Sequence, residues 1–214
     1  MSVFSALPQC SKEIVHGEGR RRRRKSLDGY IAKQDNTIGR LFDWYMNGEV
    51  ECSTASPDIT LHISPKSVEH WRNWVSSLGV LVCGRTLFDV TDGWDGRHTM
   101  DVPVVVVTHN VPTDWVAEHP GAPFTFVTDG VRVAVEQAQA VAGDRVVAVA
   151  GGTIARQCLE LGLLDEVAID LVPVVMGEGR PFFGKLAVDD VVLGDPTVCI
   201  QGEQVTHLVF PVKR

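Results

Sequence analysis

A strand, a glycine turn, a helix and a second strand in residues 145–171 constrain the fold of this chain more than any other stretch. Residues 146–150 are apolar and carry no charge, which is typical of a strand covered on both faces. Gly151 and Gly152 then allow a sharp turn, and Thr153 can cap the helix that follows. Because the start of a helix presents backbone amides, the turn is a candidate docking place for an anion. A glycine turn that only permits close packing is the alternative interpretation.

The same alternation of apolar strand and amphipathic helix recurs before this unit. Further strands are predicted at residues 80–83, 102–107 and 124–128, and helices at residues 65–78 and 130–142. Beyond Pro173 the pattern changes to strands alone, at residues 188–193, 198–201 and 207–212. Alternating strands and helices predict an α/β fold with a mainly parallel sheet, helices on both faces and antiparallel strands at one edge.

Polar or glycine-rich residues follow three of the predicted strands. They are Gly84-Arg85-Thr86, Thr108-His109 and Gly151-Gly152-Thr153. Parallel sheets bind ligands where their strands end, so these segments are candidate binding turns. Arg85 and Thr86 add a cation and a hydroxyl to the backbone amides, which favours phosphate. Alternatively, Arg85 is an ordinary surface arginine and His109 is part of a turn, and neither binds a ligand.

Composition excludes several classes of protein. The chain has 214 residues, of which 44% are hydrophobic and 22% are charged, as in an ordinary globular protein. No apolar run is long enough to cross a membrane, and the start lacks the apolar core of a signal peptide, so we expect a cytoplasmic protein. The five cysteines are scattered without a C-x-x-C pair, which predicts neither a disulfide framework nor a metal site.

Residues 1–25 differ in character from the rest of the chain. Residues 20–25 read RRRRRK, whereas the whole chain has a net charge of −7. We predict a disordered basic segment at residues 1–25 and one folded domain at residues 26–214. The acidic body argues against a specific nucleic-acid partner, although the basic run alone could bind phosphate backbones. Residues 33–63 are predicted to form a long loop with a short helix around residues 41–46.

The motifs SLDGYIA, GRTLFD, the strand-ending TH, AGGTIARQCLELGLLDE and PVVMGEGRPFF together resemble the dihydrofolate-reductase-like superfamily. Within it, residues 26–212 resemble stand-alone relatives of the reductase domain of bacterial riboflavin biosynthesis, the RibD C-terminal domain. The resemblance implies a three-layer fold, an oxidoreductase that uses NADPH and a small-molecule substrate, and in many relatives a homodimer.

The resemblance also assigns roles to residues. Those placed along the cofactor, from its phosphates to its nicotinamide, are Ala32, Gly84, Arg85, Thr86, Thr108, His109, Gly151, Gly152, Thr153 and Ile154. Asp43 and Trp44 belong to the loop that covers the substrate, and Asp43 is the candidate to orient a polar ring or relay a proton. A cap of the short helix is the alternative role for Asp43. The loop at residues 177–182 resembles one that supports this lid.

Two departures from the family pattern narrow the range of possible substrates. Ala150 stands where the riboflavin reductase has an acidic residue that binds ribose, and Lys66, Val68 and Glu69 stand where arginines hold the substrate phosphate. The zinc deaminase motif of the bifunctional enzyme is absent from the sequence. We therefore expect hydride transfer to a C=N or C=O bond of a neutral or weakly polar pteridine-like, heteroaromatic or carbonyl compound.

The third departure is the basic run itself, because the family has an apolar central strand directly before SLDG. Each unpaired cation buried there costs several kcal/mol, against a total stability of roughly 5–15 kcal/mol. Three explanations stay open: an altered start, a strand supplied by residues 13–16, or an incomplete domain. We favour the first, which peptide mapping of the native protein tests. An incomplete domain corresponds to the alternative function, a non-catalytic nucleotide-binding or structural protein.

Overall fold

The computed structural model describes residues 19–213 of the chain, with side chains from residue 24 onward. Its strands are β1 (Gly19–Lys25), β2 (Tyr30–Ala32), β3 (Val50–Ser53), β4 (Thr60–Ile63), β5 (Leu78–Gly84), β6 (Val104–Val107), β7 (Phe124–Val127), β8 (Val146–Val149), β9 (Leu164–Leu171), β10 (Arg180–Pro181), β11 (Val198–Gln201) and β12 (Thr206–Pro211). Its α-helices are α1 (Pro65–Ser77), α2 (Arg85–Val90), α3 (Thr113–Glu118), α4 (Val131–Ala142) and α5 (Thr153–Glu160). A 3-10 helix covers Gly39–Tyr45, and a turn with left-handed backbone covers Asp92–Gly96.

Eight of these strands form one sheet in the order β11-β12-β9-β1-β8-β5-β6-β7. The pairs from β9 through β7 are parallel, whereas β12 pairs antiparallel with both β9 and β11. The predicted α/β fold, with a mainly parallel sheet and antiparallel strands at one edge, is therefore confirmed. Two small antiparallel pairs, β2 with β10 and β3 with β4, lie outside the large sheet.

Helices cover both faces of the sheet, as the apolar strands predict. In β6, Val105 packs into a cluster with Val135 of α4, and that cluster also contains residues of α5. Its neighbours Val104 and Val106 point the other way and pack with Phe88 of α2 and with α3. Since successive side chains of a strand alternate between faces, a continuous valine run requires an apolar layer on each side.

The prediction for the basic run is wrong at Gly19–Lys25, because this segment is the central strand β1, parallel to β8 and β9. A segment in this place has both backbone edges available for sheet hydrogen bonds, and they pair with β8 on one side and with β9 on the other. The side chains described here are accommodated by aromatic rings: the Arg24 guanidinium lies over Phe42 and Tyr45, and the Lys25 ammonium lies over Phe182. The alternative strand at residues 13–16 and the rest of the predicted arm lie outside the described residues.

Three smaller expectations also differ from the structure. Residues 33–63 contain the hairpin β3–β4 in addition to the predicted short helix, because two short strands of mixed polarity pair only with each other. Residues 188–193 contribute a single bridge, between Leu193 and Val212, in place of a strand. Gly152, with φ of 81°, is the N-cap of α5, and Thr153 is the first helical residue, so the threonine hydroxyl does not cap the helix.

Among the described residues, none of the helices combines the length and the apolar character needed to cross a membrane.

Candidate cofactor and substrate site

The three predicted binding turns lie side by side at one edge of the sheet. They follow β8, β5 and β6, which are consecutive neighbours and run parallel, so their carboxyl ends meet. The first two turns are in close contact, because a Cβ atom added at Gly84 would lie 3.0 Å from Cγ1 of Ile154. Glycine at this position therefore lets the start of α2 approach the start of α5.

Arg85 joins the second and third turns. Its Nε atom lies 2.6 Å from Oδ1 of Asp89, and its Nη1 atom donates to the carbonyl of Asn110 at 3.0 Å. The hydroxyl of Thr108 donates to the same carbonyl at 2.9 Å, which fixes the turn after β6. The Arg85 side chain is 40% exposed, and Thr86 and His109 are exposed beside it. The turns thus present a positioned guanidinium, a hydroxyl and an imidazole to solvent.

The glycine turn after β8 presents backbone amides. The carbonyl of Gly152 accepts the first hydrogen bond of α5, from Arg156 N at 3.1 Å, so the amides of Thr153 and Ile154 have no intrahelical acceptor. The amide of Gly152 donates instead to the carbonyl of Phe182 at 3.3 Å. A Cβ atom at Gly152 would meet nothing within 4 Å, so a ligand can approach this turn without displacing protein. The residues present therefore fit the phosphates of a dinucleotide.

The SLDG turn ties the predicted lid support to the glycine turn. The amide of Phe182 donates to the carbonyl of Gly29 at 2.9 Å, so one loop contacts both turns. Asp28 accepts from the amide of Gly177 at 2.7 Å, and the pKa of its carboxyl is lowered, chiefly by the hydroxyl of Ser26 and then by the loop amides. Ala32 is half-buried and pairs with Arg180 of β10. The loop at residues 177–182 thus supports the segment predicted to pass the nicotinamide.

Comparison with known proteins decides the family. The family model of the RibD C-terminal domain matches residues 24–206. The chain belongs to the RibD C-terminal domain family.

Solved structures resemble this RibD C-terminal domain over nearly its whole length. A protein assigned provisionally to riboflavin biosynthesis in Shewanella sp. PV-4 has a TM-score of 0.65 at 20% identity, over 92% of this chain and 99% of that one. Dihydrofolate reductase from Enterococcus faecalis, complexed with NADP(H), has a TM-score of 0.55 at 15% identity, over 93% of this chain and 98% of that one. The fold is thus dihydrofolate-reductase-like, as the motifs predict. Among curated sequences, the uncharacterized protein YwjB of Bacillus subtilis (strain 168) is 23% identical over 161 residues, which are 75% of this chain and 79% of that one.

The two residues predicted for the substrate loop of the domain lie on the 3-10 helix Gly39–Tyr45 and differ in exposure. The Asp43 side chain is 51% exposed, and its Oδ2 atom lies 2.8 Å from Nε of Arg40. Trp44 is 1% exposed and stacks on Tyr45 with ring centroids 4.0 Å apart. In this structure Trp44 is a core residue, and Asp43 faces solvent. The role of either residue toward a substrate stays a prediction.

A buried polar chain in the domain was missed by sequence reasoning. Nδ1 of His207 lies 2.7 Å from Oδ1 of Asp170, and Nε2 of His207 lies 2.9 Å from the hydroxyl of Ser67. All three side chains are fully buried and tie β12, β9 and α1 together. One side-chain nitrogen or oxygen atom from each of His70, Asp170 and His207 lies within 4.8 Å of the others, a spacing that suits a metal ion. Since both ring nitrogens of His207 already have protein partners, we assign the chain a structural role.

A second missed residue is Arg24 on the central strand. Its guanidinium lies 4.1 Å from the ring centroid of Phe42 and 4.4 Å from that of Tyr45, and it donates to the Tyr45 hydroxyl. Burial and, to a smaller degree, the charge of Arg24 lower the pKa of His98 to about 4, so this imidazole is neutral at pH 7. The sequence carries a signal for each site. Asp170 and His207 each interrupt an apolar strand, and the basic run of Arg24 occupies the position of a central strand.

Proposed function

We propose that this RibD C-terminal domain is an NADPH-dependent reductase. It transfers hydride to a C=N or C=O bond of a small pteridine-like, heteroaromatic or carbonyl compound. The observation that carries the proposal is the meeting of three turns, rich in amides and basic or hydroxyl side chains, at the ends of adjacent parallel strands. The structural relative from Enterococcus faecalis, which is complexed with NADP(H), supports the choice of cofactor.

Each turn has a role in this proposal. Gly84, Arg85 and Thr86 bind cofactor phosphate. Arg85 directs its charge toward the 2′-phosphate that distinguishes NADPH from NADH, and Thr108 and His109 lie beside the same group. The remaining contacts are assigned to Ala32, Gly151, Gly152, Thr153 and Ile154, along the pyrophosphate and the nicotinamide. Backbone amides and a guanidinium stabilise such anions through charge-assisted hydrogen bonds. The loop that contains Phe182 hydrogen-bonds to Gly152 and so holds the glycine turn in position.

When bound, NADPH supplies the hydride, and the protein must provide a route for one proton. That proton comes from water or from Asp43, whose carboxylate is within reach of solvent beside Arg40. Because Asp43 is held in an exposed ion pair, delivery by Asp43 requires that Gly39–Tyr45 move over the substrate.

A non-catalytic nucleotide-binding protein is the second candidate function. The observation that favours it is the burial of Trp44, because the aromatic residues of Gly39–Tyr45 pack against the sheet where a substrate would lie. Such a protein would bind the nucleotide at the same three turns but would catalyse no reaction. NADPH oxidation in the presence of carbonyl and pteridine compounds separates the two functions.

Titration with NADPH tests the cofactor site. In the Arg85→Ala variant we expect the Kd for NADPH to rise roughly 10- to 100-fold, since a hydrogen bond to a charged group contributes about 1.5–3 kcal/mol. The Kd for NADH should change less. Arg97→Ala is the matched control, because Arg97 forms an equivalent exposed pair with Asp101 at 2.8 Å, away from the turns. Quenching of tryptophan fluorescence gives the Kd. Absence of saturable binding by the folded wild-type protein would refute the reductase proposal.

The cytoplasmic location and the homodimer expected from the sequence belong to this proposal as well. Sedimentation of the purified protein gives the oligomeric state directly.

A further inference from the structure

The loop at residues 177–182 joins two parts of the candidate site that are distant in sequence. Its strand β10 pairs with β2, which contains Ala32, the residue predicted to pass the nicotinamide. The carbonyl of Phe182, at the end of the loop, accepts from the amide of Gly152 at 3.3 Å. The loop therefore sets the separation between Ala32 and the glycine turn after β8.

The loop fits closely against β2 and has little stiffness of its own. A Cβ atom at Gly179 would lie 2.3 Å from the carbonyl oxygen of Ala32 and 3.3 Å from Cβ of Tyr30. Gly177 has a φ of 75°, a backbone conformation that favours glycine. Because glycines leave a free segment many conformations, a close fit against Ala32 requires that both ends of the loop be fixed.

Both ends are fixed by the SLDG turn. At the first end, Oδ2 of Asp28 accepts from the amide of Gly177 at 2.7 Å and from the amide of Met176 at 3.0 Å. At the other end, the carbonyl of Gly29 accepts from the amide of Phe182 at 2.9 Å. Hydrogen bonds to a carboxylate are stronger than those between neutral groups. Asp28 is thus the one side chain of this turn that grips the loop directly.

The turns after β5 and β6 have a different support. Arg85 donates through Nη1 to the carbonyl of Asn110 at 3.0 Å, and the hydroxyl of Thr108 donates to the same carbonyl at 2.9 Å. These bonds join the two turns to each other, and both turns continue strands of the large sheet. A change at Asp28 should therefore disturb Ala32 and the glycine turn while leaving the turn of Arg85 in place.

We propose that Asp28 is a positioning residue for the nicotinamide half of the cofactor. It acts through the loop at residues 177–182, which holds Ala32 and Gly152 on either side of that half. The inference rests on the proposed function, in which NADPH occupies this site, and it gives the two halves of the cofactor separate supports. Arg85 binds at the adenosine end, whereas Asp28 keeps the reacting ring in the orientation that hydride transfer requires.

Two ligands test the halves separately: NADPH, and adenosine 2′-monophosphate, which has the adenosine 2′-phosphate and lacks the nicotinamide. In the Asp28→Asn variant the Kd for NADPH should rise roughly 10-fold, as expected when a hydrogen bond to a charged group is lost. The Kd for adenosine 2′-monophosphate should stay within about twofold of the wild type, because its support is intact. Fluorescence quenching measures NADPH, and phosphorus NMR titration measures the weaker ligand.

Two further variants accompany Asp28→Asn. Gly179→Ala should give the same selective loss, because its methyl group pushes the loop away from Ala32 without altering Asp28. Asp101→Asn is the matched control and should change neither Kd. Asp101 is an exposed carboxylate paired with Arg97 at 2.8 Å, and it precedes β6, at the opposite end of that strand from Thr108.

An unchanged Kd for NADPH in Asp28→Asn, or an equal loss of affinity for both ligands, overturns the inference. A purely structural role would weaken both ligands together, so the selective loss is the decisive observation. Gly179→Ala, judged by the same criterion, decides the matter if circular dichroism shows that Asp28→Asn does not fold. Absence of NADPH binding by the folded wild type refutes the reductase proposal, whereas binding that tolerates both changes refutes only the role of Asp28.

Discussion

At the scale of single residues, the Asp170 and His207 pair shows how much a buried polar contact depends on both partners. The two groups are 2.7 Å apart and fully buried, and the hydroxyl of Ser67 completes the chain. Replacing a buried pair by apolar groups can be neutral, whereas removing one partner leaves the other desolvated and unpaired. The pair therefore matters less as a source of stability than as a constraint on substitution.

This asymmetry gives a prediction for a double-mutant cycle. Asp170→Ala and His207→Ala should each lower the free energy of unfolding by about 3–5 kcal/mol, and the double variant should lose clearly less than the sum. Urea denaturation measures all four proteins, and Glu203→Ala, an exposed change near β12, is the control. Strict additivity would show that the two side chains do not stabilise each other.

At the scale of elements, the segment Gly39–Tyr45 is held over the end of β1 by its junction with β3 and β4. The amide of Gly48 donates to the carbonyl of His62 at 2.9 Å. A Cβ atom at Gly48 would lie 2.0 Å from the carbonyl carbon of Ile63 and 2.1 Å from the amide nitrogen of Ser64, and main-chain atoms cannot rotate away. Glycine is required here because two backbone segments approach each other closely.

Gly48→Ala should therefore destabilise the domain by about 1–3 kcal/mol or more, because the hairpin must separate from the segment that precedes it. Thermal unfolding measures the loss. Met46→Ala is the matched control, since Met46 is exposed two residues earlier and its truncation should have little effect. A Tm for Gly48→Ala equal to that of the wild type would mean that the junction relaxes without cost.

At the scale of the whole molecule, His98 makes stability depend on pH. Its pKa is lowered from 6.5 to about 4 by burial and by Arg24, so the folded state disfavours the protonated ring. Between these two pH values the unfolded chain binds a proton that the folded chain does not, and stability falls as the pH decreases through this window. Above pH 7 both states are neutral at this site, and the contribution is constant.

We expect acidification from pH 7 to pH 4 to remove about 3 kcal/mol through this residue, since each pKa unit corresponds to about 1.4 kcal/mol. Urea unfolding across this range measures the slope. His98→Gln, which does not titrate, should flatten the curve by that amount relative to the wild type. An unchanged slope in the variant would show that other groups carry the acid sensitivity.

Much of the fold and the positions of the candidate cofactor turns follow from the sequence, because both depend on short-range patterns. Apolar runs such as residues 146–150 predict buried strands, and glycine or polar residues directly after them predict turns at one sheet edge. The hairpin β3–β4 was missed because its strands are short and of mixed polarity, so that only their mutual pairing defines them. The burial of Trp44 was missed because an aromatic residue in a short helix within a long predicted loop fits either a lid or a core.

The parallel α/β sheet, the family and the three turns that we propose to bind the cofactor could be predicted from the sequence, because each is encoded in residues that are neighbours along the chain. The central position of Gly19–Lys25 and the buried chain of Ser67, Asp170 and His207 are visible only in the folded protein. The physical reason is that these features depend on partners distant in sequence. The backbone edges of β8 and β9 supply the hydrogen bonds of β1. A polar side chain becomes acceptable in the interior only when the fold brings its partner to it.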